Sequence, residues 1–316
     1  MRKLSFVIPC YRSEKTIEKV VQSIRCLMEQ QEDRYEIILV NDCSPDNVWS
    51  VIKSMSKEQE NILAVDLTRN FGQHSALMAG YHMATGNIIV STDDDGQTPV
   101  EEVYSLIEKL EAGYDVVFAR YKVKRQSVFR KFGGMINERM TEYLINKPRG
   151  IKATSFFVTH SFIIKEILRY NSAYPYIGGL IFRTTRNIGN VDVEHHERIR
   201  GKSGYTLRKL LSMWLNGFTA FSVKPLRIAT FFGFICAAVG VIYGIVTIIR
   251  KLTIPEIQMG YSSMLVSILF VGGIIMLLLG IIGEYLGRIY ICMNNAPQYV
   301  IREISGGKRE EKEKGL

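Results

Sequence analysis

Two long apolar stretches, Leu226 to Ile249 with Arg227 at its start and Ser262 to Ile282, restrict the folding of this chain more than any other feature. Each is long enough to cross a hydrocarbon core of about 30 Å as a helix. Nearly every position on every face is apolar, a pattern that suits lipid better than the core of a soluble domain. Two transmembrane helices are therefore expected, over about 226–249 and 262–286. An apolar share of 47% in 316 residues agrees with embedded segments.

Charge fixes the expected orientation. Arg208, Lys209, Lys224 and Arg227 flank the first stretch, and Arg288, Arg302, Lys308 and Arg309 follow the second, against Arg250, Lys251 and Glu256 in the connection. The positive-inside tendency puts both termini in the cytosol. The start, Met1-Arg2-Lys3, runs straight into a short apolar strand and shows no secretory signal pattern. Cys10, Cys26, Cys43, Cys236 and Cys292 share no metal-type or redox-type spacing, so reduced thiols are expected. The net charge of +9 is assigned to anionic headgroups near the spans, and no nucleic-acid partner is expected.

The region before the spans alternates strand and helix signals. Leu4 to Ile8, Glu36 to Val40, Ile62 to Asp66, Asn87 to Thr92 and Asp115 to Ala119 read as buried strands. Ser13 to Glu29 carries Ile17, Val20, Val21, Ile24 and Leu27 at helical spacing, and Gln73 to Thr85 and Val100 to Ala112 also read as helices. Such alternation gives an α/β domain with a mostly parallel sheet. Val123 to Lys147 reads as a helix-rich insertion and Val191 to His196 as one further strand. Leu207 to Val223, with Leu210, Leu211, Trp214, Leu215, Phe218 and Phe221, is amphipathic: it either lies in the membrane interface or packs against the domain. The expected division is a catalytic domain over 1–206, an interfacial region over 207–224, two spans within 225–290 and a charged cytosolic tail over 291–316, solvated at Lys308 to Lys314.

Chemistry concentrates where strands end. Asp93-Asp94-Asp95-Gly96-Gln97 follows an apolar strand, at the place where open α/β sheets bind ligands. Hard oxygen donors there suit Mg²⁺ or Mn²⁺, completed by anionic substrate oxygens, although clustered aspartates also build turns and caps. The loop Pro9-Cys10-Tyr11-Arg12-Ser13-Glu14 offers an aromatic face and a carboxylate, a platform for a nucleobase and ribose. In Asn41-Asp42-Cys43-Ser44-Pro45-Asp46, Asp42 is placed to accept from a base, and Ser44 or Asp46 to cap a helix. Arg69-Asn70-Phe71-Gly72-Gln73 brings a cation and helix-start amides toward a diphosphate.

Together these blocks, with RNFGQHSALMA over Arg69 to Ala79, resemble family 2 glycosyltransferases of the GT-A (Rossmann-like) fold. Arg198-Ile199-Arg200-Gly201-Lys202-Ser203-Gly204-Tyr205 is similar to that family's R-x-x-G-x-S-x-Y loop, and the two spans ending in Gly283 to Arg288 resemble its polyprenyl-phosphate branch. The resemblance implies inverting transfer from a nucleotide sugar, a UDP-sugar favoured, to undecaprenyl phosphate at the inner membrane of a bacterium. It implies a divalent metal, Mg²⁺ or Mn²⁺, at Asp93, Asp95 and Gln97, and a nucleotide-sugar site at Pro9, Tyr11, Glu14, Asp42, Arg69, Gln73 and Asp93. Arg198, Arg200, Ser203 and Tyr205 would close over the phosphates, with Asp94, Asp95 and Arg198 as the catalytic set and a homotetramer as the assembly. Three segments depart from the family pattern: Gly96 stands for a commoner leucine, Gly204 for lysine, and Gly150 to Val158 lacks the usual acidic and arginine positions. The alternatives are a catalytically silent, membrane-anchored nucleotide-sugar-binding protein and a processive polysaccharide synthase; against the latter, Trp49 and Trp214 stand in no Gln-x-x-Arg-Trp motif.

Overall fold

The computed structural model describes residues 2–121, 147–194, 260–293 and 296–307, with scattered positions at 139, 142 and between 231 and 253. The chain divides into two units, Met1–Tyr205 with Asn295–Leu316, and Thr206–Asn294.

The first unit is a mixed sheet covered by helices. Eight strands stand in the order β7-β5-β6-β4-β1-β2-β3-β8: β1 Lys3–Cys10, β2 Arg34–Asn41, β3 Ile62–Leu67, β4 Ile88–Ser91, β5 Val116–Tyr121, β6 Phe157–His160, β7 Ile188–Val193 and β8 Ile301–Gly306. The pairs β1/β2, β1/β4, β2/β3 and β5/β7 are parallel. The strands β6 and β8 run antiparallel to their neighbours. In β1, Leu4 and Phe6 to Ile8 are fully buried, as a strand covered on both faces requires.

Helices α1 (Ile17–Met28), α2 (Val48–Glu58), α3 (Gln73–Met83) and α4 (Val103–Glu111, led by a 3₁₀ turn at Val100–Glu102) connect the parallel strands. Helix α1 buries Ile17, Val20, Val21, Ile24 and Met28, with Leu27 only partly buried, so its apolar face is turned slightly from the sequence expectation. Helix α3 is buried from Ser75 to Tyr81 and packs on β1 and β2. A Cβ at Gly80 would stand 2.4 Å from Val7 Cγ1 and 3.1 Å from Val40 Cγ2, so glycine there sets how closely α3 approaches the sheet. Short helices α5 (Ser161–Ile167) and α6 (Ile177–Thr184) follow β6.

Three strands depart most from the sequence reading. Strand β6 occupies Phe157–His160, which carries no strand in that reading, and lies between β4 and β5. Strand β7 begins at Ile188, ahead of the expected Val191. Strand β8 forms from residues read only as part of a tail, and it pairs with β3.

In the second unit, α7 spans Tyr261–Met293, and its stretch Phe270–Gly287 has a mean hydropathy of 2.0, long and apolar enough to cross a membrane. Of the first expected span, a shorter apolar helix over Gly233–Val246 is described. The expected insertion at 123–147, the amphipathic stretch at 207–223 and the charged run at 308–314 lie almost wholly outside the described residues.

Candidate active site

Strand order reverses at β1, which pairs with β2 on one side and β4 on the other. The loops leaving the carboxyl ends of β1, β2, β3 and β4 therefore converge on one crevice. Pro9 lies beyond the last β1/β4 pair, Val7 with Ser91, so its missing N–H costs no ladder bond there.

Backbone-to-side-chain hydrogen bonds stitch these loops together. Ser44 Oγ accepts from the Arg12 amide at 2.7 Å and donates to Asp46 Oδ1 at 2.6 Å. Asp46 Oδ2 accepts from the Glu14 amide at 3.0 Å, and Glu14 Oε2 accepts from the Asn47 amide at 3.3 Å. Burial alone would raise the Asp46 carboxyl; its bonds from Ser44, Glu14 and Val48 outweigh that and hold it below the usual range. Arg12 and Cys43, at φ 59° and 48°, take left-handed conformations that few non-glycine residues adopt, one in each stitched loop. Tyr11 remains 42% exposed, with the Arg12 guanidinium 5.5 Å from its ring centre, leaving aromatic surface open to a ligand.

Asp42 is buried, and its two oxygens accept from the Phe71 and Gly72 amides at 2.7 and 2.9 Å. Burial outweighs those bonds and raises its carboxyl. This carboxylate thus shapes the turn that opens α3. In the same turn the Arg69 guanidinium lies 4.6 Å from the Phe71 ring centre.

The three aspartates after β4 point to different partners. Asp93 accepts from Gln73 Nε2 at 2.9 Å and from Ser155 Oγ. Burial, reinforced by the charge of Asp95, raises the Asp93 carboxyl against those two bonds. Asp94 Oδ2 accepts from the Tyr11 amide at 2.8 Å, while its carbonyl accepts from Thr16 Oγ1 at 2.6 Å. Burial pushes the Asp94 carboxyl up to about 6. Asp95 accepts from the Gln97 amide at 3.0 Å and from Gln97 Nε2. Tyr121, at the end of β5, is pushed up to about 12 by burial and by Asp93 and Asp95.

Among the described residues, no lysine or arginine pairs with Asp93, Asp94 or Asp95. Two mutually repelling, partly buried carboxylates of hard oxygens fit a divalent cation. No complete cage of three or more His, Cys, Asp or Glu stands among the described residues, so such a cation would draw further donors from an anionic ligand. A cleft of about 350 Å³ opens between α1 and this loop, lined by Lys19, Ser23, Asp93, Gly96, Thr98 and Glu101.

Pro9, Tyr11, Glu14, Asp42, Gln73, Asp93, Asp94, Asp95 and Gln97 thus gather at one end of the sheet, with Arg69 in the adjoining turn. Arg198, Arg200, Ser203 and Tyr205 lie outside the described residues. The sequence reading missed Ser155 and Tyr121. Ser155 reaches Asp93 only because β6 inserts beside β4, and Tyr121 lies two residues beyond the strand expected at Asp115 to Ala119, which in the structure extends to it.

Comparison with known proteins shows the family. Residues 5–170 match the profile of Glycosyl transferase family 2, and residues 224–289 match that of the GtrB C-terminal hairpin. The chain is 32% identical to the SfII prophage-derived bactoprenol glucosyl transferase of Shigella flexneri, over 96% of this chain and 99% of that one. It is 30% identical to the undecaprenyl-phosphate 4-deoxy-4-formamido-L-arabinose transferase of Proteus mirabilis, over 99% of this chain and 97% of the relative. Its fold is that of Mycobacterium tuberculosis glucosyl-3-phosphoglycerate synthase, solved with Mn²⁺, UDP-glucose and phosphoglyceric acid, at a TM-score of 0.51 and 19% identity over 70% of this chain and 78% of that one. Sheet order, switch-point site and full-length relatives together make this chain a glycosyltransferase of family 2 that carries a GtrB-type C-terminal hairpin.

Proposed function

We propose that the protein transfers a sugar from a nucleotide sugar, a UDP-sugar favoured, to undecaprenyl phosphate at the cytosolic face of a bacterial inner membrane, with inversion at the anomeric carbon. The observation that carries the reading is the convergence of Asp93, Asp94 and Asp95 with the loops of β1, β2 and β3 at the switch point. Two near-full-length relatives whose names specify bactoprenol or undecaprenyl phosphate support the acceptor.

In this reading Tyr11 offers its ring to the base, and Glu14 and Asp42 line the nucleoside pocket. Gln73 and Ser155 orient Asp93, which with Asp95 and Gln97 would hold Mg²⁺ or Mn²⁺. Bound there, the cation supplies neutralisation of the charge that grows on the departing diphosphate. Arg69, and the loop with Arg198, Arg200, Ser203 and Tyr205, add cationic and hydrogen-bonding groups toward the phosphates.

An oxygen of the lipid phosphate forms the new bond to the anomeric carbon. The bond from that carbon to the nucleotide breaks, and its electron pair leaves with the nucleoside diphosphate. The acceptor oxygen is already anionic at neutral pH, so no strong general base is needed. Asp94 is turned to the Tyr11 amide, and we assign it to loop positioning. Two spans, with both termini cytosolic, would bring the lipid phosphate to a soluble donor.

The test is transfer of label from UDP-, GDP- and CDP-sugars to undecaprenyl phosphate by the full chain in membranes, with and without divalent metal. One donor should yield a lipid-linked sugar, and only with metal. Nucleotide binding without any product across the panel would instead favour a silent donor-binding protein.

A further inference from the structure

Strand β8 reaches the sheet from the C-terminal side of the membrane helix, and it carries Arg302 to the same sheet end as the site. The β3/β8 register shifts between Asp66 and Leu67: Asp66 pairs with Glu303 and Leu67 with Ile301, so Arg302 is the residue left over. A bulge of this kind re-aims a side chain. The Arg302 guanidinium donates to Asp66 Oδ2 at 3.2 Å and to the Thr68 carbonyl at 2.8 Å.

Asp66 is buried, and its other oxygen accepts from Asn41 Nδ2 at 2.7 Å. Asn41, also buried, uses its Oδ1 to accept from the Ser44 amide at 3.1 Å. Ser44 then holds the Arg12 amide and Asp46, and Asp46 holds the Glu14 amide. The hydrogen bonds run without a gap from the returning strand to the loop of Tyr11 and Glu14. A buried carboxylate deprived of its cation must re-pair, and its nearest adjustable partner is Asn41.

We infer that Arg302 is a positioning residue for the nucleotide pocket, acting through Asp66, Asn41 and Ser44 on the loops after β1 and β2. The segment beyond the membrane helix is therefore part of the catalytic unit. That these loops hold the donor rests on the function proposed above. The relay itself rests on the hydrogen bonds alone.

Arg302→Met should leave β8 in place, because other contacts anchor the segment. Lys53 pairs with Glu303 at 2.5 Å, Ser56 Oγ donates to Ser305 Oγ at 2.9 Å, and Gln298 Nε2 donates to the Tyr170 and Ser172 carbonyls at 3.1 and 2.9 Å. Amide hydrogen exchange of the ligand-free full chain in nanodiscs provides the test. Arg302→Met should speed exchange roughly tenfold in peptides covering 10–16 and 42–48, and leave β4 peptides unchanged. Arg302→Lys, which keeps the charge but not the fork, should fall between. Combined with Asn41→Ala, Arg302→Met should add little further, since both cut one chain. Donor KM should rise several-fold with kcat unchanged. Unchanged exchange in both loops, or an equal rise in β4, would overturn the relay. Faster loop exchange with an unchanged donor KM would keep the relay and refute the donor-binding role of the loops.

Discussion

The Tyr11 amide donates to the Asp94 carboxylate at 2.8 Å, fastening the exposed aromatic loop after β1 to the aspartates that end β4. A carboxylate is not required for this tie, because an asparagine oxygen can accept the same bond. Asp94→Asn should keep donor KM within roughly threefold of the parent, while Asp94→Ala should raise it roughly tenfold by freeing the loop. A thousand-fold fall in kcat for Asp94→Asn would instead make Asp94 a base.

Asp93 is held on both sides, by Gln73 and by Ser155. Partners that orient a metal ligand typically change metal affinity by 10- to 100-fold when removed. Ser155→Ala should therefore raise the half-saturating Mn²⁺ concentration roughly tenfold and leave kcat at saturating metal within about twofold. Metal titrations of transfer activity check this, and an unshifted curve with a lower plateau would contradict it.

Gly96 adopts φ 71° in the middle of the aspartate loop, where the resemblance sets a leucine in other members. The left-handed conformation costs an L-residue with a Cβ roughly 1–2 kcal/mol. Gly96→Leu should lower the melting temperature by a few degrees, as followed by thermal unfolding in detergent. An unchanged melting temperature would mean that the loop relaxes freely to accept the side chain.

The His74 ring meets the Tyr176 ring edge-on at 5.3 Å, and its Nδ1 is buried without a hydrogen-bond partner among the described residues. Burial lowers its pKa from 6.5 to about 4, so the folded protein binds fewer protons than the unfolded chain between those values. That stability is intact above about pH 6.5 and is lost as pH falls toward 4, by at most roughly 1.4 kcal/mol per unit. Melting temperatures from pH 7.5 to 5 should fall more steeply for the parent than for His74→Gln. Equal slopes would contradict this.

How much of this was legible in the sequence depended on the range of the interactions. The alternation of β1 to β4 with α1 and α3, and the placing of Tyr11, Asp42 and Asp93 at strand ends, follow from local pattern. Strand β6 has only four residues and gains its place from two neighbours far away in sequence, so neither it nor the Ser155 contact had a local signal. Strand β8, Ile-Arg-Glu-Ile-Ser-Gly, is a half-exposed edge strand following the long apolar helix α7, and its polar residues read as tail. The Asp42 bonds to the Phe71 and Gly72 amides had no local signal either, because only the folded sheet brings that turn near.

In the proposed transfer the sugar moves alone, leaving both nucleotide phosphates behind. Incubating the full chain with its donor nucleotide sugar and undecaprenyl [³²P]phosphate, and identifying the released nucleotide, tests it directly. One nucleoside diphosphate should be released per lipid product, and the product should carry one sugar on the original labelled phosphate. Release of a nucleoside monophosphate, with a second phosphorus in the lipid, would contradict it.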